Sequence, residues 1–143
     1  MADSGIVILE ECDTALRYIR NGEKYRYVIF AFDLWRIFVE KTGERSKVCD
    51  DLLDDLPPDD VRYVVYDFEY KGEDGILHNR LIFIVWSPDS VSIKKKMLIY
   101  GGKNRFKNLL QYEWYGTLIE IQATDNFDIS ESEFLAKCIM PNS

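Results

Sequence analysis

Leu81-Ile82-Phe83-Ile84-Val85-Trp86 is an unbroken apolar run that stops at Ser87-Pro88-Asp89, and the chain then turns basic at Lys94-Lys95-Lys96-Met97-Leu98. Six apolar residues, several β-branched or aromatic and closed by a proline, read as a strand at the centre of a sheet covered on both faces. From Ser90 to Gln111 there are six basic residues, Lys94, Lys95, Lys96, Lys103, Arg105 and Lys107, and no acidic one. The whole chain carries a formal net charge of −7, so this cationic face stands against the balance of the molecule. The segment predicts a long helix over Ser90 to Tyr115, broken at Gly101-Gly102, because each interior glycine costs about 1 kcal/mol relative to alanine.

Upstream of the central strand, Val61 to Tyr70 is a second strand-like run, joined to His78–Trp86 by Lys71-Gly72-Glu73-Asp74-Gly75, a segment suited to a tight reversal. Earlier still, Tyr25 to Phe32 and Trp35 to Glu40 read as a hairpin around Asp33-Leu34, and Thr42-Gly43-Glu44 reads as a break. Ser46 is expected to cap a short acidic helix that turns Val48, Leu52 and Leu53 inward and ends at Pro57-Pro58. Leu9, Cys12, Leu16 and Ile19 fall on one helical stripe, which predicts a helix over 9–20, with residues 1–7 as a short flexible arm. Downstream, Thr117 to Ala123 alternates as a strand, and Ser130 with Glu133 supplies the start of a last helix running through Cys138. The expected class is α+β: one domain over 1–143, with helices flanking a mixed five-stranded sheet.

Length and composition narrow the function. The chain has 143 residues, 47% of them hydrophobic and 30% charged, which fits one packed domain. No apolar run approaches the ~20 residues of a membrane span and no leader pattern opens the chain, so a cytoplasmic location is expected. A pI near 4.7 opposes general attraction to nucleic acid or anionic membrane. The acidic cluster around Pro57-Pro58 has no glycine-bearing calcium-loop pattern and reads as a solvated helix face. There is one histidine, His78, and the three cysteines, Cys12, Cys49 and Cys138, have no metal spacing and read as buried or partly buried free thiols. No phosphate loop, zinc pattern or nucleophile elbow occurs, and neither catalysis nor a cofactor is expected.

The order of elements, with Trp86-Ser-Pro-Asp89, Lys94-Lys95-Lys96-Met97-Leu98, Tyr66-Asp67-Phe68-Glu69-Tyr70 and Gln122-Ala123-Thr124-Asp125, resembles the actin-depolymerising factor/cofilin family over essentially the whole chain. Ser4-Gly5-Ile6 and Tyr25-Arg26-Tyr27-Val28-Ile29-Phe30 are similar to the family's opening and first strand. The resemblance implies an ADF-homology domain that binds actin monomers and filaments, severs filaments and speeds their turnover on the actin cytoskeleton. It implies a main actin site formed by the arm, the start of the kinked helix and the turn before the last helix. By residue-by-residue match this site is Ser4, Gly5, Lys94, Lys96, Met97, Leu98 and Lys103. A filament-only site would draw on His78, Arg80, Glu131, Glu133 and Lys137, and Ser4 matches the family's inhibitory phosphorylation position. The implied partner is actin, with phosphoinositides as a further ligand, no nucleic acid, and a monomeric protein.

Where the family has a Tyr-Ala-Ser-Ser run, this chain has Ile99-Tyr100-Gly101-Gly102, and the helix after it is longer by about four residues, close to one turn. At the filament site a histidine and one arginine stand where the family is more basic, which predicts monomer binding at least as strong as severing. Two other readings stay open. One is an adaptor of the same fold that binds an actin-nucleating complex rather than actin, like the glia-maturation-factor branch, against which Lys94, Lys96 and Met97 speak. The other is an anionic-lipid or nucleic-acid binder using the basic helix, against which the net charge speaks.

Overall fold

The computed structural model describes residues 5–22, 24–113 and 118–139. Its elements are β1 (Val7–Ile8), α1 (Glu10–Arg20), β2 (Tyr25–Asp33), β3 (Arg36–Glu44), α2 (Cys49–Asp55), β4 (Arg62–Lys71), β5 (Leu77–Trp86), α3 (Ile93–Gly101), α4 (Lys103–Glu113), β6 (Leu118–Ala123), a 3₁₀ turn (Asn126–Asp128) and α5 (Glu131–Ile139). The strands form one mixed sheet in the order β1-β3-β2-β4-β5-β6. β1 runs parallel to β3 and β6 parallel to β5, while the inner pairs are antiparallel.

The apolar strand behaves as its composition demands. Leu81, Phe83 and Val85 point to one face of the sheet, where α1 and α4 bring Cys12, Leu16, Ile19, Phe106 and Leu110. Ile82, Ile84 and Trp86 point to the other, against Leu52 of α2 and Phe134 of α5. Since parallel neighbours require a crossover, the basic segment between β5 and β6 has to span the sheet, and α3 with α4 does so on the α1 side.

The helix break falls where the glycines predict it. Gly102 lies between α3 and α4 with an ordinary negative φ of −91°, so the glycine is there for space: a Cβ would meet Ile6 Cδ1 at 2.8 Å and the Tyr63 hydroxyl at 3.1 Å. That hydroxyl, buried beneath the break, donates to the Ile99 carbonyl.

Several expectations need correction. The sheet has six strands rather than five, because Val7–Ile8 adds a short parallel edge strand beside Arg36 and Ile37. Thus Ile6 and Val7 are fixed parts of the fold, Ile6 being buried, while residues 1–4 of the expected arm lie outside the described residues. Thr42-Gly43-Glu44 does not break the chain; β3 continues through it, and Gly43 leaves room for the Tyr27 ring across the pair. The cap of α2 is Val48, not Ser46; its amide donates to Asp51 Oδ2 at 2.9 Å, and its side chain faces solvent while Cys49 and Leu52 turn inward. The basic helix begins at Ile93, not Ser90, because a Pro88–Val91 turn precedes it and the Ser92 hydroxyl accepts the Lys95 amide at 3.2 Å. Tyr115, the expected end of that helix, lies outside the described residues. All three cysteines are free; burial foremost pushes the Cys12 thiol up to about 12, far from a thiolate nucleophile at neutral pH.

Candidate functional site

The capped start of α3 projects from the sheet and places its side chains in a definite order. Ile93, Met97 and Tyr100 follow at intervals of four and three, so they share one stripe of the helix, and that stripe faces outward at 76%, 70% and 44% exposure. Ile99 faces the opposite way and is fully buried. Lys94 is exposed and has no ion-pair partner among the described residues. Lys95 reaches Asp60 Oδ1 at 3.3 Å, and Lys96 Nζ donates to the Asp89 carbonyl at 3.2 Å. Leu98 is half-buried beside this stripe. The result is an exposed apolar ridge edged by lysines, suited to entering an apolar cleft on an acidic partner.

Other expected residues of this site fall differently. Ser4 lies outside the described residues, and Gly5 is exposed with φ +80° at the entry to the fold. Lys103 is not free on the surface: its ammonium and that of Lys107 clamp Glu120 of β6 at 3.0 and 2.7 Å. Residue matching left out Ile93, Tyr100 and Phe127. The first two were legible as partners of Met97 in the 93, 97, 100 spacing. Phe127 sits on the turn before α5 with 88% exposure, its amide held by Asp125 Oδ1 at 2.9 Å.

His78 and Arg80 lie on the opposite face of the sheet from α3, on the same side of β5 as Ile82 and Ile84. His78 stacks on Tyr70 at 5.4 Å and approaches Asp74 Oδ2 at 3.5 Å. A ladder of rings continues from Tyr70 to Phe68 at 5.7 Å and from Phe68 to Phe134 of α5 at 5.5 Å, which ties this strand pair to the last helix. Arg80 lies close enough to Cys138 of α5 to act on its thiol electrostatically. Glu133 and Lys137 are exposed on α5, whereas Glu131 is engaged in the fold, its Oε2 accepting the Cys49 amide at 2.8 Å. Of the expected residues, Lys94, Lys96, Met97 and Leu98 therefore lie on α3 at one side of the sheet, and His78, Arg80, Glu133 and Lys137 at the other.

Four carboxylates that fasten these surfaces are held below their usual range. Burial opposes this in each, yet it is outweighed at Asp55 by Tyr27 and Lys41, at Asp60 by Arg62 and the Val61 amide, at Glu120 by Lys107 and Lys103, and at Glu131 by Cys49. The unfolded chain, with ordinary carboxylates near pH 4, binds more protons than the native state as the pH falls through that region. Their stabilisation is thus complete above the unfolded values and lost as the pH drops through the lower, folded ones. The urea midpoint is expected to fall steadily from pH 5 towards pH 3; a flat profile over that interval would contradict the carboxylate contacts.

Among the described residues, no cluster of three or more histidine, cysteine or acidic side chains is placed to hold a metal ion, and no helix is long and apolar enough to cross a membrane.

Residues 5–139 match the family model of cofilin/tropomyosin-type actin-binding proteins. The chain is 36% identical to an actin-depolymerizing factor 12 from Arabidopsis thaliana over 129 residues, covering 90% of this chain and 91% of that protein. It is also 36% identical to an actophorin from Entamoeba histolytica, with 94% and 95% covered. Among solved structures, a cofilin from Streptomyces griseoflavus superposes with a TM-score of 0.83 at 33% identity, over 94% of this chain and 98% of that one.

Proposed function

Since the chain belongs to the cofilin/actin-depolymerising factor family, we propose that it binds actin as a single ADF-homology domain and promotes filament depolymerisation, severing and turnover in the cytoplasm, without catalysing a reaction. The observation that carries this reading is the outward ridge of Ile93, Met97 and Tyr100 between Lys94 and Lys96. A helix face that serves only folding would not leave three large apolar side chains exposed beside a lysine, Lys94, that has no ion-pair partner among the described residues. We assign the monomer-and-filament site to Ser4, Gly5, Lys94, Lys96, Met97 and Leu98, with Phe127 added from the turn before α5. Lys103 contributes through its clamp on Glu120, which fixes α4 against the sheet edge.

The filament-specific surface comprises His78, Arg80, Glu133 and Lys137, with Glu131 holding α5 to α2. Two surfaces on opposite faces of one sheet suit a monomeric protein that bridges two neighbouring subunits of a filament. The sparse positive charge at His78 and Arg80 favours monomer binding over severing, because a thin cationic patch attracts an acidic filament surface only weakly. An adaptor for a nucleating complex would have no need of an exposed, lysine-flanked ridge, which places that reading second. Phosphoinositide headgroups are a further ligand for Lys94 and Lys96, whereas the net charge disfavours nucleic acid.

Titration of fluorescently labelled actin monomers with the protein tests the reading: saturable binding at one-to-one stoichiometry supports it, and an unchanged signal at every concentration refutes it. Ser4 supplies a regulatory prediction in the same assay. A phosphate there would add roughly −1.5 to −2 charges near an acidic partner and beside Asp3. Ser4→Glu is expected to weaken monomer binding several-fold while Ser4→Ala binds like the wild type; equal affinity of both variants would remove the arm from the interface.

A further inference from the structure

We propose that the tip of the β2–β3 hairpin, Leu34 and Trp35, is a second wall of the partner site and receives the apolar side of an acidic, amphipathic segment of actin; this rests on the actin-binding reading above. A groove of about 660 Å³ opens between this tip and α3. Ile6 and Val61 form its buried floor, Met97 and Leu98 its opposite wall, and Lys94 and Lys95 its rim.

The tip is built in a way that folding alone does not require. Hairpin tips usually carry glycine, asparagine or aspartate, residues that turn easily and tolerate water. Here they are leucine and tryptophan, 66% and 54% exposed. Leu34 is also the one described non-glycine residue with positive φ, +56°, a left-handed conformation that a bulky side chain seldom takes and asparagine takes readily. A local backbone cost retained at an exposed position marks a constraint other than packing.

The tip is nevertheless held rigidly. The Val7 amide donates to the Trp35 carbonyl at 2.8 Å, and Arg36 pairs with Asp33 across the turn at 2.5 Å. A tryptophan whose backbone is pinned beside an apolar trough is a strong anchor, since the turn that carries it needs no ordering when a partner covers it.

The groove's chemistry defines its occupant. Lys95 is compensated by Asp60, but Lys94 is not compensated by any described residue, so the rim is net positive and favours carboxylates. No unpartnered buried polar atom of a described residue points into the trough to orient a small metabolite. An apolar peptide face with acidic flanks satisfies both the trough and the rim, and the trough is continuous with the Met97 ridge.

The test compares Trp35→Ala, Leu34→Asn and the Lys94→Ala/Lys96→Ala pair by titration of labelled actin monomers, with thermal unfolding in parallel. Trp35→Ala is expected to weaken binding about tenfold or more, and Leu34→Asn to weaken it several-fold while its unfolding temperature holds or rises. Should Trp35→Ala fail to fold, Leu34→Asn decides. Wild-type affinity in Leu34→Asn and Trp35→Ala, alongside a loss in the lysine pair, would overturn the groove and leave the actin reading standing. Absence of binding by the wild type would overturn both. Self-association of the protein that Trp35→Ala abolishes, with actin affinity unchanged, would assign the groove to a second copy of the chain and also refute the proposal.

Discussion

Replacing Lys94 and Lys96 together by alanine is expected to lower affinity for actin monomers at least tenfold, about 1.4 kcal/mol, while the unfolding temperature changes little. Lys94 is exposed and has no ion-pair partner among the described residues, and Lys96 contributes only an exposed bond from its ammonium to the Asp89 carbonyl. Exposed charges of this kind add little to folding stability, and the helix start is secured elsewhere, by the Ser92 cap. At an interface the same charges steer the partner and fix its register, so their removal is felt in binding. Equilibrium titration and thermal unfolding of the purified double variant separate the two effects. Unchanged affinity in a folded variant would remove α3 from the interface; a large fall in stability would make the lysines structural.

The largest expected effect on stability belongs to Gly43→Ala. A Cβ at this position would lie 2.5 Å from two atoms of the Tyr27 ring. That ring cannot yield easily: it is fully buried, stacked on Tyr66 at 6.0 Å, and held by its hydroxyl on Asp55 Oδ2 at 2.6 Å. Overpacking a closed core in this way costs about 3 kcal/mol. For a chain of this size that lowers the unfolding temperature by about 10 °C. The penalty should shrink when Gly43→Ala is combined with Tyr27→Leu, since the smaller side chain vacates the ring's space; the coupling is read from a double-mutant cycle. Additive losses would show that Gly43 acts through its backbone and not through Tyr27.

Much of the architecture was legible where periodicity and punctuation agree. The apolar run ending at Trp86, the stripe of Cys12, Leu16 and Ile19, and the paired glycines in the basic helix each correspond to an observed feature, because each is set by local chemistry, whereas Leu9, expected on the same stripe, is the extended N-cap of α1. What was not legible depends on partners distant in the sequence. Val7–Ile8 is too short to show a period, and only its position beside β3 makes it a strand. Gly43 looks like a terminator, yet its role is to make room for a ring carried by the neighbouring strand.

The candidate site divides in the same way. Lys94, Lys96, Met97 and Leu98 could be named from the family resemblance. α3, however, is apolar on both sides, with Ile93, Met97 and Tyr100 on one and Ile99 on the other, so its sequence alone does not say which side is open. Lys103 reads as a surface lysine until β6 brings Glu120 within reach. Trp35 reads as the first residue of a strand but lies in the turn ahead of β3, and Phe127 carries no periodic signal; an aromatic in a turn is as compatible with burial as with display. Their exposure became visible only once the turns were fixed by Val7 and by Asp125.

Sedimentation of assembled actin with increasing amounts of this protein tests most directly whether it drives filament turnover. The expected result is a rise in unsedimented actin with added protein, some of the protein itself pelleting with the remaining filaments. If all of the actin pellets at every protein concentration while the protein stays in the supernatant, the chain neither binds nor disassembles filaments, and the function proposed for it is wrong.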